Sequence, residues 1–195
     1  FARIGAPVDW LLLDDLPRAR PYRLIVFANA LSLPAARRNA LKAELGHRGT
    51  TCLWIYAPGY ADESLAVSNI AETCGVRATR EDRTGPVSVE LTPSLLAPES
   101  GFAPNGARAG DRYGTTRAIG PHFHIVDPEA ETLGVVAGSD ATGLARKTVG
   151  TSTHYYSVAP GVPPALLRAI AASAGVHIYR DDNDAVYANA SFVGM

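Results

Sequence analysis

A GxSxG turn, which presents a serine nucleophile where a strand meets a helix, is missing from this 195-residue chain. The strand-like run Thr50–Ala57 ends in Tyr56-Ala57-Pro58-Gly59-Tyr60, which offers neither serine nor cysteine to attack a substrate. Gly5, Gly46, Gly49 and Gly59 fit neither GxGxxG nor GxxxxGKS/T. They are turn residues, so no phosphate or dinucleotide loop is indicated and no cofactor is expected. Cysteine is scarce. Cys52 and Cys74 do not make a disulfide framework in a chain this long. Cys52 sits inside the apolar run TTCLWIY and reads as a small buried hydrophobe. Cys74 closes a helical stretch, where the helix dipole raises a thiol pKa. Neither sign of charge is in excess: 18 Lys and Arg against 19 Asp and Glu give a net charge of −1. This balance gives no reason to expect nucleic acid or an anionic membrane as partner. No apolar run approaches the ~20 residues that span a bilayer. With no signal-peptide pattern either, a cytoplasmic location is the expectation. The chain starts at Phe1 rather than Met and reads as the interior of a longer polypeptide.

What is present fits one soluble globular domain over residues 1–195, with 47% hydrophobic and 19% charged residues. Pro7–Asp14 (PVDWLLLD) and Tyr22–Ala30 (YRLIVFANA) read as buried strands. Pro34 opens a helix with Ala36, Ala40, Leu41 and Leu45 at helical spacing, stopped by Gly46 and Gly49. Thr50–Ala57 is the next strand, and a helix from about Glu63 to Cys74 follows, with Leu65, Ile70 and Ala71 inward. This alternation of apolar strands and helices predicts an α/β fold, a mostly parallel sheet with helices on both faces. The C-terminal half adds antiparallel strands. Residues 76–80 and 87–92 are short strands, and Pro93–Arg112 is an irregular stretch. His122–Val126, Thr132–Ala137, Leu144–Val149 and His154–Val158 are strands, with a hairpin turn at Gly138–Gly143. Pro163-Pro164 starts a helix through Ala172, and Val176–Tyr179 with Ala185–Ala188 forms a last short pair.

Several clusters could carry chemistry, and each has a plainer explanation. His122 and His124 share one face of a strand, half of a metal site, but a third ligand would have to come from His154 or Asp127 through the fold. Two histidines on the polar face of a strand account for them more simply, and no metal is expected. Asp181, Asp182, Asn183 and Asp184 lack the Gly and distal Glu of a calcium loop and suit an Asx-rich turn. Asp14 and Asp15 sit where open α/β sheets place ligands, or form a solvated turn before Pro17. A small hydrolase or lyase built on these elements would draw on Asp14, Asn29, Tyr60, His122 and His124 as its cleft.

The segments ARIGAPVDWLLLDDL, YRLIVFANALSLP and TTCLWIYAPGY resemble the β-galactosidase trimerisation domain, a class I glutamine-amidotransferase-like, flavodoxin-like domain of multi-domain glycoside hydrolases. Tyr113-Gly114 through Pro121, Val126-Asp127-Pro128, Gly175–Tyr179 and Val186–Asn189 fit the same group, so the resemblance covers most of the chain. It implies a non-catalytic assembly domain that shapes the neighbourhood of a sugar-binding barrel. Its implied partners are further copies of itself and the catalytic barrel of the parent chain, with carbohydrate a possible ligand. In amidotransferases the strand matching TTCLWIYA leads into an elbow with the catalytic cysteine. Here that place holds Ala57, Pro58 and Gly59, and Cys52 falls too early. The His–Glu pair has no match either, because His154–Val158 runs into Ala159-Pro160-Gly161. The fold's first, central strand would lie upstream of Phe1, so a neighbouring chain or an unusual strand order is expected to complete the sheet. Among the aromatics, Tyr56 and Tyr60 are candidate contact or sugar-stacking residues and Trp54 is expected in the core.

Overall fold

A computed structural model describes residues 1–46, 48–96, 106–188 and 193–194. The first half supplies β1 (Leu24–Phe27), α1 (Ala35–Gly46), β2 (Thr51–Ile55) and α2 (Ser68–Cys74). A run of strands follows: β3 (Ala78–Glu81), β4 (Gly85–Leu91), β5 (Arg112–Ile119), β6 (His122–Ile125), β7 (Glu131–Val136), β8 (Thr142–Val149) and β9 (Ser152–Ser157). The chain ends with α3 (Pro164–Ser173) and the small pair β10 (Tyr187–Ala188) and β11 (Val193–Gly194).

The main sheet runs β1-β2-β9-β8-β7-β4-β5, with β3 attached through β6 to β8. β1, β2 and β9 are parallel, and every other ladder in this sheet is antiparallel. The fold is mixed α/β, and the expectation of a mostly parallel sheet is corrected. The reason lies in the connections. A parallel pair needs a crossover of a dozen or more residues, and the chain provides these only before β2 and after it. From β3 to β9 no α-helix intervenes among the described residues. Residues 137–141 join β7 to β8 and Gly150-Thr151 joins β8 to β9, links too short for a crossover, so these strands fold back on one another; through Gly120-Pro121 the chain runs on, with β5 against β4 and β6 against β3. The expected first central strand has no counterpart: β2 lies directly between β1 and β9, which leaves β1 at the sheet's edge.

The core is centred on β2 and β9, where Leu53, Trp54, Tyr155 and Tyr156 are buried. Trp54 is therefore a core residue, stacked on Phe27 with ring centroids 3.9 Å apart. Leu166, Leu167 and Ile170 of α3, with Ile70 and Cys74 of α2, also join this core. Each such side chain contributes about 1.5–3 kcal/mol relative to exposure.

Four further expectations change. Pro7–Leu12 forms no strand, and Leu13–Arg18 is a 3-10 turn. The second helix begins only at Ser68, and Leu65 is exposed, because Ala61 bridges to Ser32 and to Leu65 and holds the chain extended there. In α1 the inward positions are Arg38, Leu41 and Leu45, while Ala36 and Ala40 face solvent. Val176–Tyr179 is not a strand; Tyr187–Ala188 pairs with Val193–Gly194 instead. Residues 97–105 of the expected irregular segment Pro93–Arg112, and Asn189, lie outside the described residues.

Candidate interaction groove

A concavity of about 840 Å³ lies along β1. One wall is the irregular segment from Pro7 to Leu13. The floor is β1 with its continuation to Ala30, and Ala171 with Gly175–His177 closes the far side. The sequence explains why this wall stands apart. Pro7 lacks an N–H, and the run VDWLLL has no strand partner among the described residues, so Trp10 and Leu12 remain 76% and 75% exposed. Local contacts fix the wall. The Phe1 ring meets Trp10 edge-on at 5.3 Å. Arg20 Nη2 and Tyr22 Oη donate to Asp9 Oδ2 at 2.5 and 2.7 Å. The Tyr22 hydrogen bond, with Arg20 beside it, holds the Asp9 carboxyl below its usual range against the opposing effect of burial. The amino-terminal segment is also tied from behind: Arg168, buried on α3, donates to the Arg3 carbonyl at 2.8 Å and to Asn183 Oδ1 at 2.7 Å.

The five residues singled out from sequence do not share this groove. Asn29 lines it. Asp14 lies in the 3-10 turn, 89% exposed at its side chain and 2.6 Å from Arg37. Tyr60 is buried with its hydroxyl unpartnered, its ring edge-on to Phe123 at 5.1 Å and about 6.0 Å below the Arg80 guanidinium. His122 and His124 alternate with Phe123 along β6, so they lie on the opposite sheet face from Tyr60. His122 Nε2 meets the Gly85 carbonyl at 3.1 Å, and His124 Nε2 lies 3.3 Å from Glu81. Tyr56 donates its hydroxyl proton to the Pro121 carbonyl at 2.9 Å. Among the described residues no three His, Cys, Asp or Glu side chains come together as a metal site.

Neither thiol is poised for attack. Burial pushes Cys52 and Cys74 up to about 12 each. His154, which packs beside Trp54, shares its Nδ1–H with the Cys74 carbonyl at 2.7 Å, and burial holds its pKa below the ordinary value. A second depression, about 490 Å³, is lined by Glu129, Glu131, Arg146 and Lys147. Its charges face one another: Arg146 sits 2.5 Å from Glu131, and Lys147 sits 2.9 Å from both Asp127 and Glu129. Sequence reading missed the buried arginines 38 and 168, because inward positions were sought among apolar residues alone. Arg38 donates to the Leu33 carbonyl, Asp62 and Glu72, and so ties α1 to the chain before α2 and to α2 itself.

No family model matches the chain, and no curated protein does. Solved structures do. A β-galactosidase from Bacillus circulans sp. alkalophilus superposes with a TM-score of 0.57 at 14% identity, over 80% of this chain and 23% of that one. The cold-adapted β-galactosidase from Rahnella sp. R3 gives 0.58 at 13% identity, with the same two shares. Gan42B, a GH42 β-galactosidase, gives 0.55 at 17% identity over 86% of this chain and 23% of that one. The chain has the fold of a domain-sized part of GH42 β-galactosidases. It spans about a quarter of the length of the enzymes it resembles. Among the described residues of this β-galactosidase-like domain, no helix is long and apolar enough to cross a membrane.

Proposed function

We propose that this chain is a non-catalytic assembly domain of a β-galactosidase-type glycoside hydrolase. In this reading it associates with further copies of itself and packs on the catalytic barrel of its parent chain, shaping the sugar-binding region. The observation that carries the proposal is the superposition on a domain-sized part of several β-galactosidases. The trimerisation-type, amidotransferase-like and flavodoxin-like assignment belongs to this proposal too. The parallel β1-β2-β9 unit with α1, α2 and α3 is the part of the fold that supports it. The chemistry supports a scaffold in the same direction. The turn after β2 carries Ala57-Pro58-Gly59, both thiols are buried and protonated, and His122 and His124 lie across the sheet from Tyr60. Carbohydrate contact is assigned to the exposed aromatic Trp10, which lines the same groove as Asn29. Hydrolysis of a chromogenic β-galactoside and release of ammonia from glutamine test the non-catalytic half, with neither above background as the expected result. Either activity, retained on purification to constant specific activity, would refute it. Light scattering tests the assembly half.

A further inference from the structure

We propose that the polar depression beside the end of α3 binds a neutral pyranose, with the hydroxyls of Thr51, Thr153 and Thr148 as its floor. The inference uses neither the likeness to β-galactosidases nor the assembly reading. The depression shares no lining residue with the groove along β1.

Strand register builds the floor. Thr148 on β8 lies opposite Thr153 on β9. Cys52 on β2 is level with His154 on β9, so Thr51 and Thr153, one residue earlier on each strand, are level too. Level residues on paired strands point to the same face. Three threonines therefore stand in one row across β2, β9 and β8, with about 4.8 Å between neighbouring strands. The next row on that face holds Tyr155, Arg146 and Glu131, level with one another. Helix α3 ends over this second row, where its last residue, Ser173, meets the Tyr155 hydroxyl at 3.2 Å. The threonine row beyond is left half-buried or exposed. The fold has no need of its hydroxyls. Valine is β-branched like threonine and suits a strand as well. None of the three hydroxyls has a hydrogen-bond partner among the described residues.

The surroundings select the ligand. Among the described lining residues there is no aliphatic side chain, and the one aromatic, Tyr155, is buried. An apolar molecule or the apolar centre of a protein interface would find nothing to pack on. The walls carry charge of both signs, neutralised in place. Arg146 lies 2.5 Å from Glu131, and Lys147 lies 2.9 Å from both Glu129 and Asp127. An anion would meet these carboxylates, and a cation would compete with Arg146 and Lys147 for partners they already hold. What fits is a neutral molecule dense in groups that both donate and accept. Each pyranose hydroxyl does both, against threonine hydroxyls below and carboxylates at the side. The volume of about 490 Å³ lies within the range of small-molecule sites.

The test titrates the isotope-labelled 195-residue chain with D-glucose, D-galactose and D-glucuronate, reading amide shifts residue by residue. The expected result is a saturable shift at Thr51, Thr148, Thr153 and Ser173 with a neutral sugar, with Kd on the order of 1–10 mM for a molecule of this size. Glucuronate should bind about tenfold more weakly, because it adds a carboxylate beside Glu129 and Glu131. The combined substitutions Thr51→Val, Thr148→Val and Thr153→Val keep the side-chain shape and should weaken the neutral sugar about tenfold or more. Thr148→Val alone, at an exposed position that leaves the core untouched, should weaken it about threefold. A tetrasaccharide of the sugar that binds separates the two sources of a pyranose: tighter binding assigns a glycan chain, equal binding the free sugar, and both support the site. No saturable shift at the threonine row, equal binding by the valine variants, or glucuronate binding as well as the neutral sugars overturns the proposal. Shifts confined to Trp10 and Asn29 overturn it too, and leave the carbohydrate contact proposed for the β1 groove standing.

Discussion

Iodoacetamide added to the folded chain at pH 8 should label neither cysteine at a useful rate. Alkylation requires the thiolate. Burial raises Cys52 and Cys74 from an ordinary 9.0 to about 12. At pH 8 the thiolate fraction then falls from about one in ten to about one in ten thousand, a thousandfold loss of reactive species. Steric exclusion acts in the same direction, because both side chains have no accessible surface. Labelling should therefore proceed only through opening of the structure, and its rate should climb with urea until it matches an unstructured thiol past the unfolding midpoint. Intact-mass spectrometry over time measures this, and peptide mapping separates Cys52 from Cys74. If Cys52 in the native chain reacted within about tenfold of a free thiol, the strand position would not be a buried one. The argument against an amidotransferase-type nucleophile would then fail.

Stability should also depend on His154. Its folded pKa lies below the ordinary 6.5 because it is buried, so the unfolded chain takes up a proton more readily. That contribution is fully present above about pH 6.5 and is lost as pH falls from there toward the folded pKa. Urea midpoints at pH 7.5 and 5.5 should differ in the wild type and differ less in His154→Gln; equal differences would count against this. Gly5→Ala should destabilise by roughly 1–3 kcal/mol, since the position has φ +73° and an added Cβ would sit 1.7 Å from the Arg180 carbonyl oxygen. An unchanged urea midpoint would contradict it. Arg168→Met removes charged hydrogen bonds to the Arg3 carbonyl and Asn183, each worth about 1.5–3 kcal/mol. A drop of about 3 kcal/mol in unfolding free energy is expected, and a loss below about 1 kcal/mol would mean that the amino-terminal segment is held by something else.

The elements that came through from sequence are those whose local pattern and tertiary role agree. The run TTCLWIY is β2 and buried, Pro34 leads into α1, and Pro163-Pro164 opens α3 with Leu166, Leu167 and Ile170 inward. The elements that did not come through depend on partners elsewhere in the molecule. PVDWLLLD has the composition of a strand, but pairing is a non-local event, and among the described residues no strand pairs with it. Antiparallel strands were expected in the C-terminal half, and the Gly138–Gly143 turn does join β7 to β8, but that they make up most of the sheet was missed for a related reason. Short apolar runs look alike whether the chain crosses over or turns back, and only the short links at residues 137–141 and at Gly150-Thr151 carried the difference. Of the five cleft candidates, spacing could place His122 and His124 on one face of β6, but nothing in the sequence revealed that Tyr60 packs on Phe123 from the other side. The groove was invisible for the same reason as Arg38 and Arg168. Each is a property of surfaces that meet only once the chain has folded.

Assembly is the centre of the account, and solution mass measures it most directly. Light scattering across a wide range of protein concentration should return a stable dimer or trimer of the 195-residue chain. A strict monomer at every concentration would contradict the account and would leave the domain as an appendage of its barrel rather than a means of association.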